Sequence, residues 1–195
     1  MRRRIALALG AAVLGIAAIS SFVIAQQGAR GERPVYSSVK ELMQAIVDPS
    51  ADTLWNAVGT IVDKENGIQE LSPKTDEDWL NVRNAAVRII EGANLLMMPN
   101  RAAAPPGTKS DTPGVELEPA EIAALIGNDR KSFDGFAREL QALGGEALGA
   151  IEAKNVELLM DVGARMDGVC EACHQTFWYP SVIAPQAGGQ QPSTR

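Results

Sequence analysis

Apolar residues recur at three- and four-residue intervals along most of the chain, the period of a helix with one buried face. Ser38 and Glu41 stand three apart ahead of the first series, the spacing of a capping box, and Val39, Leu42, Met43, Ile46 and Val47 follow on one face. Asp48-Pro49 interrupts them, because proline lacks the amide proton and crowds the preceding turn. Leu54, Trp55, Val58, Ile61 and Val62 continue the stripe as far as Asn66-Gly67, where glycine suits a C-cap, so a first helix with a bend is expected over residues 39–64. Thr75 and Asp78 repeat the start signal for a second helix carrying Trp79, Val82, Ala86, Ile89, Ile90, Ala93, Leu96 and Met97, which Pro99 stops.

Residues 100–118 hold Pro105-Pro106-Gly107 and Pro113-Gly114 without periodicity and predict a long surface loop, either a connector or a partner-binding surface. Pro119 suits the first position of a short helix with Ile122, Leu125 and Ile126, closed by Gly127-Asn128. A third long helix follows, on which Phe133, Phe136, Ala137, Leu140, Leu143, Ala147, Leu148 and Ile151 share a face. Gly144-Gly145 in its midst either weakens it or permits close backbone approach. Asn155 then caps a fourth helix that runs through Leu159, Met166, Cys170, Cys173 and His174 to Phe177. Four main helices, two of them joined to the next by short turns, predict an all-α chain folded as an antiparallel four-helix bundle over residues 38–180. Scarce aromatics beside plentiful Ala, Leu and Gly agree with helices rather than sheet.

The N-terminus follows a different pattern. Arg2-Arg3-Arg4 precedes an uncharged apolar run over residues 5–25, and Val23-Ile24-Ala25 offers small residues at the −3 and −1 places of a signal-peptidase site. The run is also about as long as a bilayer is thick, so residues 1–25 read as a signal peptide or a membrane anchor. Either outcome places the rest outside the cytoplasmic membrane, as a periplasmic protein with its basic end inside. Residues 26–37 form a linker, and the Gly/Gln/Ser-rich residues 181–195 a tail without core pattern.

The chain has a formal charge of −6, and loss of the three N-terminal arginines leaves the remainder at −9. Such acidity excludes a nucleic-acid binder and suits steering toward basic redox partner proteins, although it also serves solubility.

Chemistry concentrates in one pentapeptide, Cys170-Glu171-Ala172-Cys173-His174, which holds both cysteines and the one histidine of the chain. C-x-x-C-H is the spacing that attaches a c-type haem: the thiols share a helical face and each adds to a vinyl group, while the histidine is the proximal iron ligand. A thioredoxin-like dithiol requires a βαβ setting, whereas the surroundings here are helical. A tetrahedral zinc site requires a fourth ligand that only a carboxylate is left to supply. The expected cofactor is therefore one covalent haem c.

With the motif on the last helix of an exported, otherwise histidine-free bundle, the chain resembles the cytochrome c′ family, the class II c-type cytochromes, over residues 39–179. Cys170, Cys173 and His174 carry the likeness and the rest is pattern. The loop 100–118 and Gln175-Thr176-Phe177-Trp178-Tyr179-Pro180 depart from it, since many members have a basic residue shortly after the histidine. In low-spin members a methionine on the first helix faces the haem, and Met43 occupies the matching place, one turn inside that helix. The resemblance thus implies Met43 as distal iron ligand, the other reading being core filling. Met97 and Met98 are weaker candidates, Met160 and Met166 share the histidine's own helix, and Met166 is expected at the haem edge. The family also implies a homodimer through helix faces.

The aromatics Phe177, Trp178 and Tyr179 are read as core or haem-shell packing, or as a docking patch. Trp55 and Trp79 are read as core residues, and Arg165 and Lys154 as cations near the motif, either pairing with propionates or merely solvated. No catalytic motif or spare nucleophile remains, so the expected function is one-electron transfer without substrate turnover. The alternatives are a five-coordinate haem protein binding nitric oxide or carbon monoxide, and a haem-free structural bundle.

Overall fold

The first helix begins where Ser38 and Glu41 satisfy each other: Ser38 Oγ accepts from Glu41 N–H at 3.2 Å, and Glu41 Oε2 accepts from Ser38 N–H at 2.8 Å. The next two free amides, of Val39 and Lys40, donate to Ala102 and Ala103 carbonyls at 2.8 and 2.9 Å, so the loop after the second helix caps the first. In this computed structural model, which describes residues 34–180, helix α1 comprises Val39–Leu42, a π turn Met43–Val47 and Asp48–Ala57. The hairpin strands are β1, Gly59–Asp63, and β2, Gly67–Leu71. Helices α2, Asp76–Leu96, α3, Pro119–Asn128, α4, Arg130–Glu152, and α5, Val156–Phe177, follow.

The starts of α2, α4 and α5 follow from short polar side chains. Thr75 Oγ1 accepts from Asp78 N–H, Asp129 Oδ1 from Ser132 N–H, and Asn155 Oδ1 from Leu158 N–H, at 3.0 to 3.1 Å. Pro119 occupies the first turn of α3, where its missing amide costs nothing.

The first helix is shorter than the expected span 39–64. It ends at Ala57, and residues 59–71 form an antiparallel hairpin that pairs Val62 with Ile68. Val58 is already extended, and Thr60, Ile61 and Val62 are β-branched residues that prefer a strand. Asp63 Oδ1 accepts the amides of Glu65 and Asn66, and Gly67 takes φ +72°, so Asn66-Gly67 closes a hairpin turn rather than a helix. Val62 and Ile68 are 72% and 73% exposed, which removes them from the core stripe. At Asp48-Pro49 the chain stays helical, widening into the π turn just before the proline.

Helix α4 packs on both α2 and α5, and α1 packs on α2 and α5. A Cβ at Gly144 would lie 2.7 Å from Ile90 Cγ1, so the glycine lets α2 and α4 approach closely without breaking α4. Trp55 Nε1 donates to the Gly163 carbonyl at 3.0 Å and ties α1 to α5. The buried residues fall into two apolar clusters. One is centred on Leu54, Ile89, Leu143, Leu159, Val162 and Met166, the other on Leu42, Leu96, Ile122, Phe133 and Phe177. Residues 100–118 hold no helix or strand, as expected, yet they fold back on the molecule: Ala103 is buried, and Leu117 N–H donates to the Trp178 carbonyl at 2.9 Å.

Among the described residues, no helix is long and apolar enough to cross a membrane. The apolar run 5–25 and the tail 181–195, with the readings attached to them, lie outside the described residues.

Candidate haem site

Along α5, Leu159, Val162, Met166, Cys170, Cys173 and Phe177 succeed one another at steps of three and four, so they form one stripe. Its first half is core, with Leu159, Val162 and Met166 essentially inaccessible, and it closes on Phe177, again buried. Between those ends Cys170, Cys173 and His174 are only half-buried, because the stripe there faces open space instead of neighbouring side chains.

That space is a pair of adjoining cavities of about 310 and 210 Å³. Cys170 lines the larger one. Met43, Asp48, Phe133, Cys173 and His174 line both. The cavities lie between the two apolar clusters: Cys170 packs against one, Cys173 against the other, and Met43 against both. Leu96, Phe136, Ala137, Leu140 and Trp55 complete the apolar wall of the larger cavity. Of the sequence candidates, then, Cys170, Cys173, His174 and Met43 are brought to a single cleft. Met97 packs in the Leu42 cluster, Met98 Sδ accepts from Arg101 Nη2 at 3.6 Å, Met160 is exposed, and Met166 is in the core rather than at the cavity edge.

Met43 reaches the cleft through the π turn. The buried apolar positions of α1 are Val39, Leu42, Val47, Ala51 and Leu54, whose steps are three or four except for five between Leu42 and Val47. An α-helix would rotate the residues before that step by about 100°. The wider register, with Asp48 N–H donating to the Met43 carbonyl, stacks Leu42 over Val47 and Met43 over Asp48. The stripe stays continuous, and Met43 and Asp48 turn together toward the cavities.

Burial holds both thiols above the ordinary cysteine range, Cys170 pushed up to about 11 and Cys173 to about 12. Protonated, buried thiols of this kind are poor exchange nucleophiles, unlike the dithiol of a redox enzyme. Among the described residues, no group of three or more His, Cys, Asp or Glu side chains is arranged to hold a metal ion by itself. An apolar cleft presenting two thiols, an imidazole and a thioether does fit a flat, apolar group that carries two thiol-reactive substituents and a six-coordinate iron.

Apart from His174, the charged residues lining the larger cavity are Asp48, Asp52, Asp167 and Glu171. Partial desolvation raises the Asp48 carboxyl above its ordinary value against the nearby His174. Glu171 is held low by the Tyr179 hydroxyl, which donates to it at 2.6 Å, and Gln175 Nε2 donates to its other oxygen at 2.5 Å. Burial and that same carboxylate raise Tyr179, whose ring lies 5.9 Å from the His174 ring. Phe177 meets Phe133 and Phe136 edge-on at 5.5 and 6.3 Å, and Trp178 and Tyr179 line the smaller cavity, so this aromatic run packs at the site.

Neither Arg165 nor Lys154 serves as the cation here: Arg165 pairs with Glu146 and Asp161, and Lys154 with Asp76. The cation beside the cleft is Lys40 on the smaller cavity, bound to Asp111 at 2.5 Å. It carries no sequence signal, since only the return of the 100–118 loop brings Asp111 and Glu116 to the same wall. Comparison with known protein families, curated proteins and solved structures found no match.

Proposed function

We propose that this chain is an exported, monohaem c-type cytochrome of class II type, an antiparallel four-helix bundle that carries single electrons between redox proteins of the periplasm. The observation that carries the reading is the meeting of Cys170, Cys173, His174 and Met43 on one apolar cleft, with Met43 and His174 shared by both of its cavities.

In this reading Cys170 and Cys173 would hold the group by thioether bonds, each Sγ–H adding across a vinyl group with sulfur on one carbon and hydrogen on the other, so that no oxidant would be required. His174 from α5 and Met43 from α1 would hold the iron by an imidazole nitrogen and a soft thioether, a pair that would favour the reduced iron and raise its potential. When bound, haem c supplies reversible one-electron exchange at iron. Phe133, Phe136, Leu140 and Leu96 give the cleft an apolar lining. The chain's one histidine and both cysteines are committed to this site, leaving no second histidine or thiol to act as base or nucleophile, which supports a carrier rather than an enzyme.

The smaller cavity beside Met43 favours one second reading, a five-coordinate protein in which Met43 only packs and the space accepts nitric oxide or carbon monoxide. Intact mass and absorption spectra of protein from a host with c-type haem maturation test both. The carrier reading expects the mass of one haem and the long-wavelength ferric band of a methionine–iron bond, which Met43→Ala abolishes. A high-spin spectrum untouched by that substitution moves the assignment to gas binding. Colourless protein with no added mass overturns both.

A further inference from the structure

The π turn of α1 is held from outside by α2. Ser50, fully buried, donates from Oγ to the Ile46 carbonyl at 2.6 Å, and Arg88 Nε of α2 donates to the same Oγ at 3.0 Å. Ile46 lies inside the widened turn, directly before Asp48-Pro49, where the proline ring would crowd the Ala45 carbonyl in a regular α-helix. One turn further along α2, Gly92 leaves room for it: a Cβ there would stand 3.0 Å from Val47 Cγ2 and 3.4 Å from Ile46 Cγ2. Three features of separate origin, a proline ring, a donor chain and a missing side chain, therefore favour the same five-residue register. That register places Met43 over Asp48 at the cleft instead of over Val47 in the core.

We propose that Ser50 and Arg88 are positioning residues for the Met43 thioether, acting through the Ile46 carbonyl to lock the π turn that presents it to the iron. The inference rests on the haem reading above and adds a specific device to it. Ser50 touches neither cavity, so its substitution leaves the cleft lining intact. Its buried hydroxyl receives a charge-assisted hydrogen bond from Arg88, a kind stronger than a neutral one.

The test is competition for the methionine position. Imidazole is titrated into the ferric, haem-bearing full chain, and amide hydrogen exchange is followed over residues 43–48. With Ser50→Ala, imidazole is expected to displace Met43 at about tenfold lower concentration, and the Asp48 amide to exchange faster. Arg88→Met at an exposed position changes both in the same direction, and Arg88→Lys, which keeps a long donor, restores part of the loss. Asn155→Ala removes the hydrogen bond that caps α5 at the end far from His174 and serves as the control for general destabilisation. An imidazole midpoint equal to that of the parent in both Ser50→Ala and Arg88→Met overturns the inference, as does an equal shift in Asn155→Ala. Absence of haem mass, or of the methionine band in the parent, overturns the underlying reading instead and takes the inference with it.

Discussion

Single residues in this molecule act mainly by what they leave room for. Gly144 and Gly145 are adjacent in α4 and look alike in sequence, but a Cβ at Gly144 would press on Ile90 at 2.7 Å, whereas one at Gly145 meets nothing within 4 Å. Alanine substitutions should therefore have opposite signs. Gly145→Ala is expected to stabilise by about 0.5–1 kcal/mol through helix propensity, and Gly144→Ala to destabilise by about 1 kcal/mol after overpacking outweighs that gain. Chemical denaturation of the two variants checks this, and equal effects would remove the case for close α2–α4 approach. The glycine pair was recognisable in the sequence as a weak or close point, but which residue faces α2 depends on the rotation of α4. That Cys170, Cys173 and His174 fall at one place was legible because they are the chain's full complement of those types at a specific spacing, and all three line the larger cavity.

At the scale of elements, helix starts were well marked and the first helix's end was not. Ser38–Glu41 and Thr75–Asp78 are local devices, complete within four residues, so the chain around them hardly matters. They also predict acid sensitivity. Glu41 is held below its ordinary value first by the Ser38 amide, and Asp78 first by the Thr75 amide and then by that of Lys74. A carboxyl whose folded pKa is depressed contributes stability that is fully present above its unfolded value and is lost as pH falls through the folded one. The thermal midpoint is expected to fall across and below the ordinary carboxylate range, and Asp78→Asn should flatten part of that slope. An unchanged slope in the variant would mean the box is not linked to folding. The hairpin over 59–71 escaped recognition because Val58, Ile61 and Val62 happen to repeat at helical steps. Only the exposure of Val62 and Ile68 reveals that no core faces them. The π turn escaped for a related reason: Leu42 and Met43 are neighbours, and the ordinary helical step of four from Met43 to Val47 hides the five-residue step from Leu42 that the structure uses.

For the whole molecule, charge matters more than any pair. The chain carries −6 overall, and the larger cavity is rimmed by Asp48, Asp52, Asp167 and Glu171. A cationic one-electron reductant is expected to reduce the haem-bearing protein faster than an anionic one of similar driving force, with the gap closing as ionic strength rises beyond about 0.1 M. Stopped-flow rates at low and high salt check this, and a salt-independent ratio would show that the rim does not face the route of approach. The helical class, the places where helices begin and the gathering of both cysteines and the histidine in one pentapeptide were determined by the sequence itself, because each depends on residues within one or two turns of each other. Tertiary structure alone decided that Met43 joins His174 and both cysteines at one cleft, that Lys40 with Asp111 stands beside it in place of Arg165 or Lys154, and that α1 widens by one residue to permit this. Those outcomes turn on how far each helix is rotated and on which loop folds back over it. Such rotations are set by contacts between segments far apart in the chain, as between Arg88 and Ser50, which local periodicity does not encode.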